Sequence, residues 1–179
     1  MENNNHTIIY FNILANFLVF LFALYMGITI ILNKYESNLL KGISFVIIVL
    51  VIYLASKRTT YLPFLGYAAI PKSVIIDSKY PTDANIELNL PFKYKDGTKI
   101  IYWGAKPASQ TVSNPTQAYD DYSNAGVTSV LNGSGLIKFN CPAKYVVPWG
   151  KTLDRHLHYR VVNTEGGMIG PVQTLYVKC

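Results

Sequence analysis

Hydrophobic and polar positions along this chain fall into two regimes. From Thr7 to Leu32 the sequence TIIYFNILANFLVFLFALYMGITIIL carries no charged residue across twenty-six positions. At ~1.5 Å rise per helical residue, such a run exceeds the ~30 Å hydrocarbon core of a bilayer, which predicts a tilted membrane-spanning helix. Asn12 and Asn16 lie one turn apart and Gly27 stands near the far end, a pattern suited to contact with a second helix. A cleaved signal peptide fits poorly, because the run is too long for its apolar core and no basic segment precedes it. A polar link, Asn33 to Asn38, leads into Leu39–Ala55 (LLKGISFVIIVLVIYLA). This second run has Lys41 placed to snorkel towards the headgroups and Lys57-Arg58 just past its end. Its Val and Ile content would also suit a buried strand, but the basic flanks and the position behind a first span favour a second helix. Residues 1–60 therefore read as a transmembrane helical hairpin with both flanks on one side of the membrane. Basic residues divide almost evenly between link and distal flank, so they leave the orientation open.

Residues 61–71 (YLPFLGYAAIP) are apolar, aromatic and broken by Pro and Gly, which predicts an interfacial linker. From Lys72 onward the period shortens. The segments SVIID, NIELNL, FKYK, KIIYW, GVTSVL, GLIKF, KYVV, LHYRVV and QTLYVK each read as a short strand. Asp96-Gly97 and Asn132-Gly133 are hairpin-turn dipeptides, and Gly166-Gly167 is a further turn signal. No stretch after residue 72 holds a helical period. The expected fold class is an N-terminal two-helix transmembrane hairpin followed by an all-β antiparallel sandwich over residues 72–179.

Composition narrows the function. Among 179 residues, 50% are apolar and 15% charged, with positive mean hydropathy, which excludes a disordered chain. The net charge of +6 is spread out. Residues 72–179 hold twelve basic and eight acidic residues without a basic stripe, which fits a lipid-headgroup or protein partner and no nucleic acid. The two cysteines, Cys141 and Cys179, are too few for a disulfide scaffold or a zinc cluster. Cys141, beside Pro142, reads as a small core residue rather than a nucleophile. There is no phosphate-binding Gly-rich loop and no G-x-S-x-G elbow. Asp120-Asp121 suits a solvated loop, since consecutive carboxylates seldom converge. N-x-S/T tripeptides at Asn5 and Asn132 are common by chance.

The most specific pattern is Arg155-His156-Leu157-His158-Tyr159-Arg160. On a strand, positions i and i+2 share a face, so both imidazoles can aim at one point, as in a two-nitrogen metal site. Rings that merely pack or hydrogen-bond give the same alternation. Around the pair stand Tyr122-Ser123, the strand Gly135–Phe139, Cys141-Pro142-Ala143-Lys144-Tyr145-Val146-Val147-Pro148 and Gln173-Thr174-Leu175-Tyr176. In this order, over roughly residues 118–177, the chain resembles the core of the intradiol ring-cleavage dioxygenases. That resemblance implies a β-sandwich and a ferric iron held by two tyrosine phenolates and two histidines. Carried over, the metal candidates are Tyr122 (or Tyr119), Tyr145, His156 and His158. The family's arginine three residues before the first histidine corresponds to Leu153 here, and its helical substrate-binding parts have no counterpart. Arg155, adjacent to His156, should face away from a metal. The expectation is a family fold with its chemistry eroded: no catalytic residue, no required cofactor, with iron as an option.

In plan the whole chain is similar to the membrane-anchored minor capsid proteins of nucleocytoplasmic large DNA viruses, which link an internal membrane to a capsid shell. That similarity implies a two-span protein of a virion internal membrane, partnered by lipid and by capsid or other membrane-apposed proteins. A membrane-tethered non-haem iron dioxygenase and a membrane-anchored binding module are the alternatives.

Overall fold

The computed structural model describes residues 2–147, 150–162 and 167–179, with the side chains of residues 2–6, 9 and 72 left aside. The chain divides into two compact units, Met1–Gly66 and Tyr67–Cys179.

The first unit holds α1 (Glu2–Leu32), α2 (Asn38–Ser56), the single turn α3 (Arg58–Tyr61) and a 3₁₀ turn at Pro63–Leu65. Tyr10–Leu32 and Asn38–Ser56 are long and apolar enough to cross a membrane. Ser37 opens α2 by accepting from the Leu40 amide at 3.2 Å, which satisfies one of the free N–H groups of the first turn. Gly27 lets the helices close on one another: a Cβ there would lie 2.8 Å from Ile48 Cγ1. The asparagine pair behaves differently from the sequence expectation. Asn16 Nδ2 donates to the Asn12 carbonyl at 2.8 Å, so that amide is satisfied within α1 instead of across to α2.

The second unit is built of antiparallel sheets. Its strands are β1 (Ala68–Ala69), β2 (Ile86–Pro91), β3 (Lys99–Gly104), β4 (Ala125–Ser129), β5 (Ser134–Phe139), β6 (Tyr145–Val146), β7 (Thr152–Leu153), β8 (His156–Val162), β9 (Met168–Ile169) and β10 (Gln173–Tyr176). The larger sheet runs β1-β9-β8-β3-β4, with β10 also paired to β8. The pair β2–β5 and the pair β6–β7 complete the set. Phe92, Ile100, Tyr102, Val130, Ile137, Phe139 and Leu157 form the main core between the larger sheet and β2–β5.

Several local expectations change. SVIID is no strand: Lys72–Val74 makes a 3₁₀ turn and Ile75 alone enters a small core beside Val127, Val162 and Ile169. FKYK is no strand either, because Phe92 turns its ring into the core while Thr98 N bonds back to the Lys95 carbonyl. Gly97 does take a left-handed backbone (φ 82°), yet the turn leads from β2 into the other sheet, so it closes no hairpin. Asn132-Gly133 does close one, with φ 52° and 71° and paired hydrogen bonds between Leu131 and Ser134. Beyond that tip β4 and β5 part into different sheets. Gly166 lies outside the described residues. A one-turn helix, α4 (Pro115–Tyr119), stands where only loop was expected, capped by Asn114 accepting from the Gln117 amide at 2.9 Å.

Two buried polar groups tie the sheets. Tyr102 on β3 is wholly buried, and its phenol donates to the Lys138 carbonyl of β5 at 2.8 Å and accepts from the Lys138 amide at 3.2 Å. Gly126 on β4 makes room for it, since a Cβ there would overlap the Tyr102 Oη. Asn124 spans the Ala105 carbonyl and both backbone groups of Asn140, at 2.8–2.9 Å. Burial pushes the Tyr102 phenol up to about 12.

Tyr102→Phe keeps the ring but leaves both Lys138 backbone groups without that partner, so full-length protein is expected to lose about 1–3 kcal/mol in denaturant unfolding. The pH dependence carries a sign. The unfolded phenol ionises near pH 10 while the folded one resists to about 12, so its share of stability is whole below pH 10 and falls as pH rises towards 12. The Phe variant is expected to lack that alkaline decline.

Candidate functional site

The H-x-H pair lies at the start of β8, where alternation sends Leu157 into the main core and turns His156 and His158 to the opposite face. Their ring centroids are 4.8 Å apart, edge to face. Trp103 on β3 pairs in register with His158 and holds its ring at 5.7 Å. On the other side β10 sets Tyr176 opposite His156 and Thr174 opposite His158. Over this face fold α4 and the β6–β7 pair, joined by Ala105, Ala118, Ala143 and Tyr145 in a small core of their own.

That cover delivers two phenols. Tyr119, the last residue of α4, and Tyr145, the first of β6, bring their hydroxyl oxygens within 3.2 Å of each other. His156 Nε2 stands 3.2 Å from the Tyr145 oxygen and 3.5 Å from that of Tyr119. His156 Nδ1 is 2.5 Å from the Asp154 carbonyl, which can only accept, so Nδ1 carries a proton and Nε2 is the ring nitrogen that faces the phenols. His158 Nδ1 meets the Thr174 hydroxyl at 3.3 Å. Desolvation, then the neighbouring Tyr145, holds the Tyr119 phenol far above the usual tyrosine range. The group is a partly buried hydrogen-bonded cluster.

Tyr145, His156 and His158 are brought together with Tyr119. Tyr122 is not in the triangle: its left-handed backbone (φ 53°) lays the ring over that of Tyr119 at 5.8 Å, and 57% of the residue stays exposed. The sequence named Tyr119 only as the substitute for Tyr122, and the missed signal was Asn114-Pro115, a cap followed by a first-turn proline. Leu153 pairs with Tyr145 across β6–β7, while Arg155 donates to the Pro142 carbonyl at 3.0 Å and to Cys141 Sγ at 2.9 Å. Cys141 itself is not a lone core thiol. It is disulfide-bonded to Cys179, because β10 runs back along β8 and returns residue 179 to the β5–β6 loop. Closing a loop of 38 residues contributes about 4 kcal/mol in the chain-entropy account.

Comparison with protein-family models, curated proteins and solved structures finds no match to this chain.

The cluster must therefore speak through its own chemistry. Two donors bound ~2.0–2.1 Å from one cation at tetrahedral angles stand about 3.3 Å apart, and the Tyr119, Tyr145 and His156 donor atoms are separated by 3.2–3.5 Å. Two phenols with two imidazoles suit ferric iron in type. Among the described residues no three His, Cys, Asp or Glu side chains gather as a zinc site would require. Tyr119, Tyr145 and His156 thus match an iron site in donor type and spacing, a spacing their mutual hydrogen bonds also give, and His158 lies beside them.

Tyr145→Phe removes a hydrogen-bonding hydroxyl 3.2 Å from a buried imidazole nitrogen and is expected to cost about 1–3 kcal/mol of unfolding free energy. Tyr122→Phe, on the exposed ring, is expected to stay within about 0.5 kcal/mol of wild type. Equal losses in the two variants, measured side by side by denaturant titration, would contradict the cluster.

Proposed function

We propose that this chain is a structural membrane protein in which a two-helix transmembrane hairpin carries a β-sandwich at a bilayer surface, where it meets an apposed protein layer. The plan is that of the minor capsid proteins of nucleocytoplasmic large DNA viruses, tethering a virion internal membrane to the capsid shell. The observation that supports it is the outward surface of α1 and α2. Phe11, Phe17, Phe22, Leu39, Phe45 and Ile52 are all exposed along helices without a polar face, a surface that water does not tolerate and lipid does. The partners are lipid and capsid or other membrane-apposed proteins, with no nucleic acid. A holding role also suits the site, since Leu153 stands where the resemblance places an arginine, and the stabilising cation that acyl- or ring-cleaving chemistry needs is not supplied by Arg155.

The hairpin is tested with tags at the N-terminus and after Cys179 in sealed vesicles: both tags are expected on the same side, and protease reaching them from opposite sides would refute the topology. For the holding role, His156→Ala with His158→Ala is expected to lower stability or assembly with no change in catechol-dependent oxygen uptake. Uptake by the wild type that this double variant loses would overturn it.

One observation favours a second reading, a membrane-tethered intradiol-type iron site: the convergence of Tyr119, Tyr145 and His156, with His158 beside them. Bound ferric iron would supply the redox-active, electrophilic centre for catechol chemistry. The chain would contribute two phenol oxygens, after loss of their protons, and imidazoles oriented by the Asp154 carbonyl and Thr174. Full-length protein mixed with a ferric salt is then expected to retain iron and show a phenolate charge-transfer colour that Tyr145→Phe abolishes. Iron washing off without colour would exclude this reading.

A further inference from the structure

The edge of the β unit that the tether enters is unusually apolar. Tyr67 is 72% exposed, Val74 65% and Ile76 50%, and Ile70 and Met168 are exposed beside them. Backbone pairing brings Ile70 and Met168 together. Ala69 of β1 lies opposite Met168 of β9, and the Ile70 amide donates to the Gly167 carbonyl at 2.9 Å. Ile75 is buried against Val127, Val162 and Ile169, which pins the following segment and turns Val74 and Ile76 outward. The patch stops at Asp77, fully exposed and paired with Lys99 at 2.8 Å. The opposite edge of the same sheet is finished differently: Lys79 covers β4 by exchanging two backbone hydrogen bonds with Val127.

We propose that this β1/β9 edge is a membrane-docking surface, seated at the headgroup–acyl boundary of the bilayer that α1 and α2 cross; it rests on the two-span reading. Chain connectivity selects the occupant. Ten residues, 57–66, separate Ser56 at the end of α2 from Tyr67, a reach of at most about 35 Å when fully extended. Much of that link is coiled as α3 and a 3₁₀ turn, which shortens it. The apolar edge is therefore held next to lipid at a high effective concentration, and weak interfacial affinity suffices to seat it. The chemistry matches: one tyrosine among aliphatic side chains, with Lys72 the one charged residue of the sequence between Tyr67 and Asp77, is what the membrane interface selects.

The test uses the full chain in phosphatidylcholine vesicles carrying acyl-brominated lipid as a quencher. Among the described residues no cysteine is free, so one added cysteine takes an environment-sensitive fluorophore selectively. Labels at Val74→Cys and Ile76→Cys are expected to be blue-shifted and lipid-quenched. A label at Leu131→Cys, exposed at the β4–β5 tip, is expected to show neither effect. A label at Phe22→Cys, within α1, reports the spans independently. Quenching at Phe22 without quenching at Val74 and Ile76 would overturn the docking surface while leaving the spans intact. Blue-shifted but unquenched labels at Val74 and Ile76 would also overturn it, assigning the edge to a protein or a second copy. No quenching at Phe22 would remove the two-span reading and this surface together.

Discussion

A single phenol sets how the two main sheets can lie. Tyr102 reaches from β3 to the backbone of Lys138 on β5, and because it both donates and accepts there, it fixes spacing and register at one point. A hydroxyl buried in an apolar core is costly unless both of its roles are filled, so packings that move β5 by one residue are strongly disfavoured. The missing side chain at Gly126 belongs to the same device, since any Cβ would displace the phenol. Everything further out inherits this alignment. Tyr102 pairs with Tyr159 across the β3–β8 ladder, and the neighbouring pair, Trp103 with His158, places the histidine face.

That chain of dependence explains why a module so small can hold a buried polar cluster. Tyr119, Tyr145 and His156 come from three elements with few residues between them and little area of their own to bury. They stay converged because Asn124 ties the start of β4 to Asn140, just ahead of the β5–β6 loop, because Arg155 fastens that loop to the start of the histidine strand, and because the disulfide fastens it to the chain just past β10. The cluster is the dependent part and the sheet frame the independent one.

What the sequence revealed follows from the range of each signal. Runs with their own period were legible: the two long apolar helices, β2, β3, β5 and β8 all lie where charge and alternation put them. The Asn132-Gly133 turn was legible because positive φ at both positions leaves few alternatives. SVIID and FKYK have strand composition, yet each supplies one side chain, Ile75 or Phe92, to a core while its backbone turns away. No local pattern separates one inward residue from a short strand. The H-x-H face was visible from spacing alone, but the choice between Tyr119 and Tyr122 depended on a left-handed residue after a five-residue helix. The Cys141–Cys179 bridge depended on β10 doubling back along β8, a long-range fact beyond any window of the sequence.

The same bridge imposes an order in time. A chain is made from its N-terminus, so α1 and α2 leave the ribosome long before β10, and Cys179 later still. In a chain anchored as proposed, the helices are already committed to lipid while the histidine strand waits for the neighbour that brings Thr174 and Tyr176. Oxidation of the thiol pair is thus a late covalent step, open only where the surroundings sustain disulfides. In a chain so anchored, the Tyr–His cluster is finished at the membrane, after synthesis of the unit, and the redox state of that place decides whether β10 is locked.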